Sequence, residues 1–523
     1  MTSQKSPCLF FLNPRARNDK GNGKILLSMS RRKVIMLGVL LLLSGLVQPG
    51  WGNHIQVSNV TLTGLNINSK FIDVECDLSW ENGWRDNINW DAAWVFVKYQ
   101  PVGSGIWHHA WLSTTTSSHT IPSGYTCAVG STSISDIDRG MGVFVFRSAN
   151  GSGSNNLTDL RLRWEYGANG LADGALVAIK VIAIEMVYVP QGPFYLGDAD
   201  QDQVACFYTY GSAEPYHITS ETAINIGPVE GYLWADGFIE SSTLPSAFPK
   251  GYGGFYCMKY EISEGQWVDF FNTLTQAQKQ TRDLTNTEQW LGKGGDEVLY
   301  RNTIAWSSGD ASTMRPDRAC NFLSWGDGAA YADWAGLRVM TELEFEKACR
   351  GDYYVDDEFA GGTPAGNFLQ AINGAENGTE SIVPTAPILT NCRYNGAILT
   401  GGDGGEGPVR CGIFATASST REMAGASYYG IMDLSGNVEE RTVTVANAAG
   451  RAFTGLHGDG LLKNDGHADV AFWPDSTGVG GGYRGGSWDL NIADISVSDR
   501  HGAGTASSYR NYGYGFRCVR SSP

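Results

Sequence analysis

The chain contains 523 residues, of which 42% are hydrophobic and 18% are charged. This balance supplies enough apolar side chains for roughly two to four folded domains and excludes a largely disordered chain. The formal net charge of -16 argues against a protein that tracks nucleic-acid phosphates, so we expect no nucleic-acid partner.

The N-terminal region has the pattern of an export signal. A basic run at 30–33 precedes an uncharged apolar stretch, 34–47, which is too short to span a membrane but is typical of a signal-peptide core. A Gly-Trp-Gly sequence then offers a cleavage site. We predict that residues 1–52 are a leader, with Met29 as an alternative start, and that the mature chain begins near Asn53. We therefore expect an exported protein, periplasmic, on the cell surface or secreted, without a membrane span in the mature chain.

Residues 53–185 alternate apolar and polar side chains in short runs separated by Gly, Asn and Ser. A period of two is that of half-buried strands, and a helical period is not sustained over more than about ten residues. The sequence therefore predicts a self-contained all-β sandwich domain. Six tryptophans crowd residues 80–111, and we interpret them as core residues, with stacking on sugars as the alternative.

Three segments in the C-terminal part carry the features that begin a helix. Ser263 and Gln266 form a capping box before an apolar stripe of helical spacing. Ser324 can cap a second helix that stops at Gly336, and Thr341 can cap a third. The rest of this part is mostly loop and short strand, which we expect metal ions or disulfides to stabilise.

Six motifs in the C-terminal part occur in a characteristic order. They are MVYVPQGPFYLG at 186–197, KYEIS at 259–263, LSW at 323–325, GLRVMTELEFEKACRG at 336–351, YGIMDLSGN at 429–437, and RGGSW at 484–488 followed by GFR at 515–517. Together they resemble the formylglycine-generating-enzyme, or sulfatase-modifying factor, family. The resemblance implies an α+β C-type-lectin-like domain over 186–523, preceded by the all-β sandwich domain.

The family's enzyme oxidises a substrate cysteine to formylglycine with two cysteines of its own and copper. The resemblance aligns those two positions with Leu490 and Ile495, whose side chains offer neither a thiolate nor a copper ligand. We therefore predict no catalytic residues, no formylglycine-generating activity and no copper. A family member with a different chemistry is an alternative.

The resemblance also implies features that stabilise the scaffold. Two sites for structural calcium are expected, because hard oxygen ligands on Gly turns suit this ion. The first site comprises Asp433, Gly436, Val438 and Glu440, and the second comprises Asn391, Cys392, Asp403 and Gly405. Cys349 and Cys518 match the family's disulfide between the third helix and the C-terminal strand.

The segment 489–515 has a restricted set of residue types. It contains no Lys, Glu, Gln, Met or Trp, although roughly four such residues would be expected at their overall frequency. In this it resembles the variable proteins of diversity-generating retroelements, which display a C-terminal segment on a lectin fold like that of formylglycine-generating enzyme and bind other molecules. The predicted ligand contacts are Asp489, Leu490, Asn491, His501, Tyr509, Asn511, Tyr512 and Tyr514.

Three arginines of this region, Arg500, Arg510 and Arg517, are expected to brace the fold instead. The alternative for the whole segment is a polar loop region without a ligand.

These observations favour an exported, non-catalytic ligand-binding or display protein with an unknown protein or carbohydrate partner. Two alternatives stay open. One is a divergent sulfatase-modifying-factor-type enzyme, and the other is a structural component of a surface apparatus.

Overall fold

The computed structural model describes residues 8–11, 55–198, 205–212, 214–237, 239–383, 389–416 and 418–523. The predicted signal segment 34–47 and the cleavage site lie outside these residues, so export stays a prediction. Within the described ranges, no helix is both long enough and apolar enough to cross a membrane.

Strands dominate the first part of the described chain. They are β1 (Cys8–Phe11), β2 (Gln56–Asn66), β3 (Phe71–Arg85), β4 (Asp91–Pro101), β5 (His108–His109), β6 (Tyr125–Ile134), β7 (Ile137–Arg147), β8 (Gly151–Trp164) and β9 (Leu176–Val189). A single 3-10 turn, Thr116–Ser118, lies between β5 and β6.

The second part has short strands and six helices among its described residues. The strands are β10 (Phe194–Leu196), β11 (Tyr208–Thr209), β12 (Tyr216–Ile218), β13 (Ile224–Ile226), β14 (Leu233–Trp234), β15 (Ser242–Leu244), β16 (Phe255–Met258), β17 (Arg338–Val339), β18 (Gly366–Phe368), β19 (Ile372–Asn373), β20 (Ser381–Ile382), β21 (Thr390–Cys392), β22 (Glu439–Val443), β23 (Gly481–Arg484), β24 (Tyr514–Gly515) and β25 (Cys518–Ser521). The helices are α1 (Glu264–Phe271), α2 (Gln276–Arg282), α3 (Trp325–Trp334), α4 (Glu342–Arg350), α5 (Arg421–Ala424) and α6 (Ala448–Arg451), and a 3-10 turn spans Ala493–Ile495.

Two sheets enclose the core of the first part. Strands β2, β3 and β8 form a three-stranded antiparallel sheet, and β6, β7, β4 and β9 belong to a larger one. Alternate side chains of β3 are buried over most of its length, as its period of two predicts. Trp80 and Leu162 of the smaller sheet share an apolar cluster with Val95 and Val143 of the larger sheet.

Strand β4 is buried on both faces. Val95 and Val97 pack toward the smaller sheet. Trp94 and Phe96 lie on the other face, in a second cluster that includes Trp334 of α3. One strand therefore contributes to the cores of both parts of the molecule.

The boundary predicted at 185/186 falls inside β9. This strand pairs with β4 over 177–187 and with β16 over 186–189, and β16 continues the same sheet to β25 and β17. The expectation of a self-contained sandwich domain is corrected by this pairing, because the two parts share one sheet. Alternation within a strand shows which face is buried, but it does not show which distant strand lies alongside.

The three predicted helices are confirmed as α1, α3 and α4. Ser263, Ser324 and Thr341 are their N-caps, and each side chain accepts a hydrogen bond from the backbone N–H three residues on. Gly336 follows α3 with φ of 67°, as the predicted stop requires. Helix α2 was not predicted, although Thr275 begins it with the same kind of capping box.

The predicted disulfide between Cys349 and Cys518 is wrong in this structure, where both cysteines are free. Side chains alternate between the two faces of a strand. In β25 it is Val519 that shares an apolar cluster with Cys349 and Phe345 of α4, whereas Cys518 packs in the cluster on the other face. The two thiols therefore point to different sides of the sheet.

The predicted bracing arginines are confirmed. Arg500 Nε donates to Glu342 at 2.7 Å, and Arg510 Nε donates to Asp327 at 2.7 Å. Arg517 is fully buried and pairs with a carboxylate of β22. These side chains tie the C-terminal segment to α3, α4 and the sheet beneath it.

Candidate functional site

The segment 489–515 is only partly accessible. Its stretches 489–493 and 504–509 are half-buried or exposed, whereas the run 495–500 between them is buried. Ile495 and Arg500 have no exposed surface. The segment therefore crosses the core once and returns to the surface, and only its two accessible stretches and a few flanking side chains can contact a ligand.

Three aromatic rings, which we call the aromatic triad, meet where the segment begins. The ring centroid of Tyr512 lies 4.4 Å from that of Tyr300 and 5.6 Å from that of Trp488. Trp488 Nε1 donates to the Tyr512 carbonyl at 3.0 Å. Asp489 accepts a hydrogen bond from Ser487 at 2.6 Å, and burial together with the charge of Asp489 raises the pKa of Tyr512. The Tyr512 hydroxyl therefore lies beside a carboxylate.

A cleft of about 650 Å³ opens beside the aromatic triad, and Tyr300 belongs to both. Exposed apolar side chains form part of the cleft lining. They are Val298, Leu299, Met314 and Ile398. An apolar lining with a small number of polar groups is typical of a binding pocket, and exposed apolar side chains gathered in one place mark an interaction site.

Buried charges hold the floor of the cleft. Arg301 donates to Glu376 at 2.5 Å and to the Gly404 carbonyl at 2.6 Å. Arg318 also pairs with Glu376, and it donates to Asp403 at 2.9 Å. Because these contacts join three separate loops, the shape of the cleft is set by the folded chain before any ligand arrives.

This cleft was not predicted from the sequence. Its lining comes from three loops, 298–303, 314–318 and 398–406, whose apolar residues have no helical or strand period. The backbone at Tyr300 and Arg301 adopts φ values of 44° and 64°. Residues other than glycine rarely adopt this region, and such strain tends to occur at functional sites. No pattern in the sequence would have located it.

Two of the predicted ligand contacts have different surroundings. Tyr514 stacks on Tyr483 with ring centroids 4.4 Å apart, and the guanidinium of Arg441 lies 4.4 Å from the Tyr514 ring centroid. Tyr514 therefore packs the scaffold. Tyr509 is 53% exposed, with its ring 6.0 Å from that of Trp290, so it remains available to a ligand.

Leu490, Asn491 and Asn511 shape the backbone of the segment. The Leu490 carbonyl accepts from the N–H of Asn395 at 2.7 Å. The side-chain oxygens of Asn491 and Asn511 each accept from the backbone N–H two residues on, at 3.1 and 3.0 Å. Both asparagines therefore stabilise turns, which is a common role of Asn in loops.

His501 lies among carboxylates, in what we call the His501 cluster. Its Nδ1 contacts Asp499 and lies 3.8 Å from Asp494 Oδ1, while its Nε2 lies 3.9 Å from Glu439 Oε1. The hydrogen bond to Asp499 raises the pKa of His501 to about 9. Burial raises the pKa of Glu439 to about 8.

The first predicted calcium site contains two carboxylates with unused oxygens. Asp433 Oδ2 accepts from the Gly412 N–H at 2.6 Å and Glu440 Oε1 from Arg517 at 2.9 Å, whereas the other oxygen of each carboxylate is buried without a hydrogen bond. Burial, with repulsion from these two groups, raises the pKa of the adjacent Glu261 carboxyl. Unsatisfied hard oxygens of this kind fit a calcium ion.

The second predicted calcium set has protein partners for its polar groups. Its members are Asn391, Cys392, Asp403 and Gly405. Asp403 pairs with Arg315 at 2.6 Å and with Arg318 at 2.9 Å. Two guanidinium groups compete with an ion for this carboxylate, so the second site stays a prediction.

Leu490 and Ile495, which the sequence resemblance predicts to stand in place of the family's cysteines, differ in burial. Leu490 is half-buried, and Ile495 is fully buried against Phe359, Cys392 and Tyr394. The nine cysteines between residues 55 and 523 are all buried, and burial raises the pKa of each thiol. A thiol in such surroundings is a poor source of thiolate.

Comparison with known proteins covers most of the second part. The profile of the sulfatase-modifying factor enzyme 1-like domain family matches residues 179–522. The formylglycine-generating enzymes of Bos taurus and Streptomyces coelicolor are 33% and 40% identical over 115 and 92 residues. Hercynine oxygenase of Mycobacterium tuberculosis is 29% identical over 102 residues.

These alignments are partial. They cover 18%, 15% and 17% of this chain, and 30%, 28% and 22% of the three relatives, in the same order. The chain thus spans less than a third of each of these relatives. Among solved structures, Treponema denticola variable protein 1 superposes with a TM-score of 0.31 at 12% identity, covering 65% of this chain and 96% of that one.

Proposed function

Because this chain belongs to the sulfatase-modifying factor enzyme 1-like family, we propose that it is an exported, non-catalytic member that binds a ligand with its C-terminal segment. The observation that carries the proposal is the contact of Trp488 and Tyr512 with Tyr300, which lines a preformed cleft with exposed apolar side chains. The family scaffold would thus present a binding surface.

The surroundings of the thiols support a non-catalytic role. Formylglycine generation, the activity named for two of the three relatives, depends on a reactive thiolate in the family's enzyme. Leu490 and Ile495 stand at the aligned positions, and Cys392, which packs with Ile495, is buried with a raised pKa. A buried thiol of raised pKa supplies little nucleophile at neutral pH.

A protein ligand fits the cleft better than a carbohydrate. Met314 and Ile398 are 62% and 66% exposed, and the triad adds aromatic contact area. Protein interfaces have apolar centres with aromatic residues enriched, whereas sugars need many polar partners. The charged groups Arg315 and Asp403 at the cleft would contribute to specificity at its edge.

A bound calcium ion would stabilise the scaffold that carries this binding surface. We propose that Asp433 and Glu440 hold one structural calcium ion with the carbonyls of Gly436 and Val438. This ion would neutralise the repulsion among buried carboxylates and stabilise the turn that precedes β22.

Binding can be tested with the purified protein, a random peptide library and a glycan array. We expect enrichment of peptides and no glycan signal. Tyr512→Ala and Met314→Asp should each weaken binding of an enriched peptide by about tenfold or more, since central apolar contacts dominate such interfaces. Val102→Asp, at an exposed apolar residue of the first part, is the control and should bind like the wild type.

A separate assay tests whether the protein lacks formylglycine-generating activity. The protein is incubated with a cysteine-containing sulfatase peptide, oxygen and copper, and the peptide is analysed by mass spectrometry. We expect unchanged cysteine. Conversion to the aldehyde would contradict the non-catalytic role and support a divergent enzyme, while peptide capture by the cleft would then need to be read as substrate binding.

A further inference from the structure

The His501 cluster presents carboxylates on both sides of one imidazole ring. On the Nδ1 side, Asp499 contacts the ring and Asp494 Oδ1 lies 3.8 Å away. One ligand atom from each of Asp494, Asp499 and His501 falls within 4.8 Å of the other two. Metal–ligand bonds to nitrogen and oxygen are about 2.0–2.2 Å long, so this separation is close to what a shared ion requires.

A fourth group, Glu439, lies on the other side of the ring. The residue is only 5% exposed. Its nearest charged partner is His501 Nε2, at 3.9 Å from Oε1. Burial of a carboxylate is costly, and an imidazole N–H directed at it would reduce that cost.

We infer that Asp494, Asp499 and Nδ1 of His501 form a site for one divalent transition-metal ion such as Zn²⁺, with Glu439 behind the ring. When Nδ1 binds the ion, the proton of the neutral imidazole resides on Nε2 and points toward Glu439. A carboxylate that receives this proton's hydrogen bond is the usual support of a metal-bound histidine.

The ligand types indicate which ion would bind. Imidazole nitrogen is preferred by zinc and its first-row neighbours, whereas calcium and magnesium prefer oxygen alone. The side chain of His501 is 34% exposed and that of Asp494 is 20% exposed, so an ion can enter from solvent. The site uses none of the residues of the two predicted calcium sites, and it does not depend on the proposed binding function.

Titration of the full-length protein with ZnCl₂ tests the inference. The protein is first stripped with a chelator and returned to buffer containing excess Ca²⁺, which fills calcium sites before Zn²⁺ is added. Isothermal calorimetry should show one Zn²⁺ bound per chain. His501→Gln and Asp494→Asn should remove this binding or weaken it by at least about 100-fold, and Glu439→Gln should weaken it by about 10–100-fold with unchanged stoichiometry.

His217→Gln is the matched control, because His217 is an exposed histidine outside the cluster. It should bind Zn²⁺ like the wild type. Near-ultraviolet circular dichroism reports whether each variant is folded. Equal Zn²⁺ affinity in wild type and folded His501→Gln would overturn the inference.

A second measurement avoids variants altogether. Addition of Co²⁺ to the stripped wild-type protein should produce visible absorption bands that differ from those of the hydrated ion, and Zn²⁺ should abolish them by competition. A Co²⁺ spectrum unchanged by the protein would overturn the inference even if every variant misfolded.

Discussion

The two parts of the molecule differ in the large side chains that they bury. In the first part, residues 55–189, long strands pair with each other, and the largest fully buried side chains are Trp80, Trp94 and Trp164. In the second part, most of the largest fully buried side chains are arginines. They are Arg318, Arg338, Arg350, Arg393, Arg441, Arg484 and Arg500.

The difference follows from where backbone carbonyls find donors. A strand satisfies its carbonyls with the neighbouring strand, whereas a buried loop lacks such a neighbour. A guanidinium carries five N–H donors and can serve several carbonyls at once. Arg510 does so with the carbonyls of Thr281 and Asp283, both at about 2.8–2.9 Å, while it also pairs with Asp327. Buried arginines therefore hold the loops of the second part, in a larger number than the three that the sequence predicts as bracing residues.

The largest expected effect is the loss of one such arginine. Arg500→Leu would leave the buried Glu342 carboxylate with Arg484 as its one remaining ion-pair partner among the described residues, and breaking a buried pair from one side costs about 3–5 kcal/mol. Urea unfolding followed by tryptophan fluorescence measures the free energy of unfolding. Arg161→Leu, from the partly exposed pair with Glu75, should cost less than about 1 kcal/mol. Equal losses in the two variants would show that the arginines of the second part have no special role.

Calcium removal should have the next largest effect, and it should act on the second part. At a free Ca²⁺ concentration about 100 times the dissociation constant, one bound ion stabilises the folded state by about 2.7 kcal/mol. Chelation should therefore lower Tm, and added Ca²⁺ should restore it. Asp433→Asn should abolish this response, whereas Asp310→Asn, at a partly exposed carboxylate outside the site, should retain it. A wild-type Tm that does not change when chelator is added would contradict the calcium proposal.

Lys98 links the two parts. Its replacement should have the smallest effect on the free energy of unfolding, and this effect should depend on pH. Its Nζ in β4 donates to the carbonyls of Trp334 and Gly460 at 2.7 and 3.0 Å. Burial lowers the pKa of Lys98 to about 7, although Asp333 and Asp459 oppose the shift. In the unfolded chain the pKa of a lysine is about 10.4. Between about pH 7 and pH 10, Lys98 is therefore protonated in the unfolded state and largely neutral in the folded state.

Stability contributed through Lys98 therefore rises with pH across that window. Lys98→Met should cost about 1–3 kcal/mol at pH 9, because two buried carbonyls lose their donor, and less at pH 7. Unfolding curves of both proteins at the two pH values check the sign. A penalty that is larger at pH 7 than at pH 9 would contradict the account.

Much of the fold could be predicted because local rules decided it. Capping boxes located α1, α3 and α4, and alternation located the strands of the first part. Pairing of β9 with β16 could not be predicted, since it joins segments about 70 residues apart that have no complementary pattern. The disulfide failed for a related reason, because the face that Cys518 occupies is set by the register of β25.

The candidate site was predictable only in part. The composition of 489–515 located Asp489, Tyr509 and Tyr512 near the surface, but it gave no sign that 495–500 is buried. The cleft depends on three loops that Arg301 and Arg318 hold together. Contacts between distant loops produce no periodic pattern in the sequence, so they could not be predicted from it.

The resemblance of 489–515 to retroelement variable proteins predicts that a fixed scaffold carries an interchangeable binding segment. The most direct test of this central prediction is to sequence the codons for 489–515 and the DNA downstream in several isolates. The account predicts substitutions at adenines, concentrated in 489–493 and 504–509, beside a near-copy of the segment and a reverse transcriptase gene. It also predicts that the buried run 495–500 is constant. An identical segment in every isolate with no such copy, or substitutions concentrated in 495–500, would contradict it.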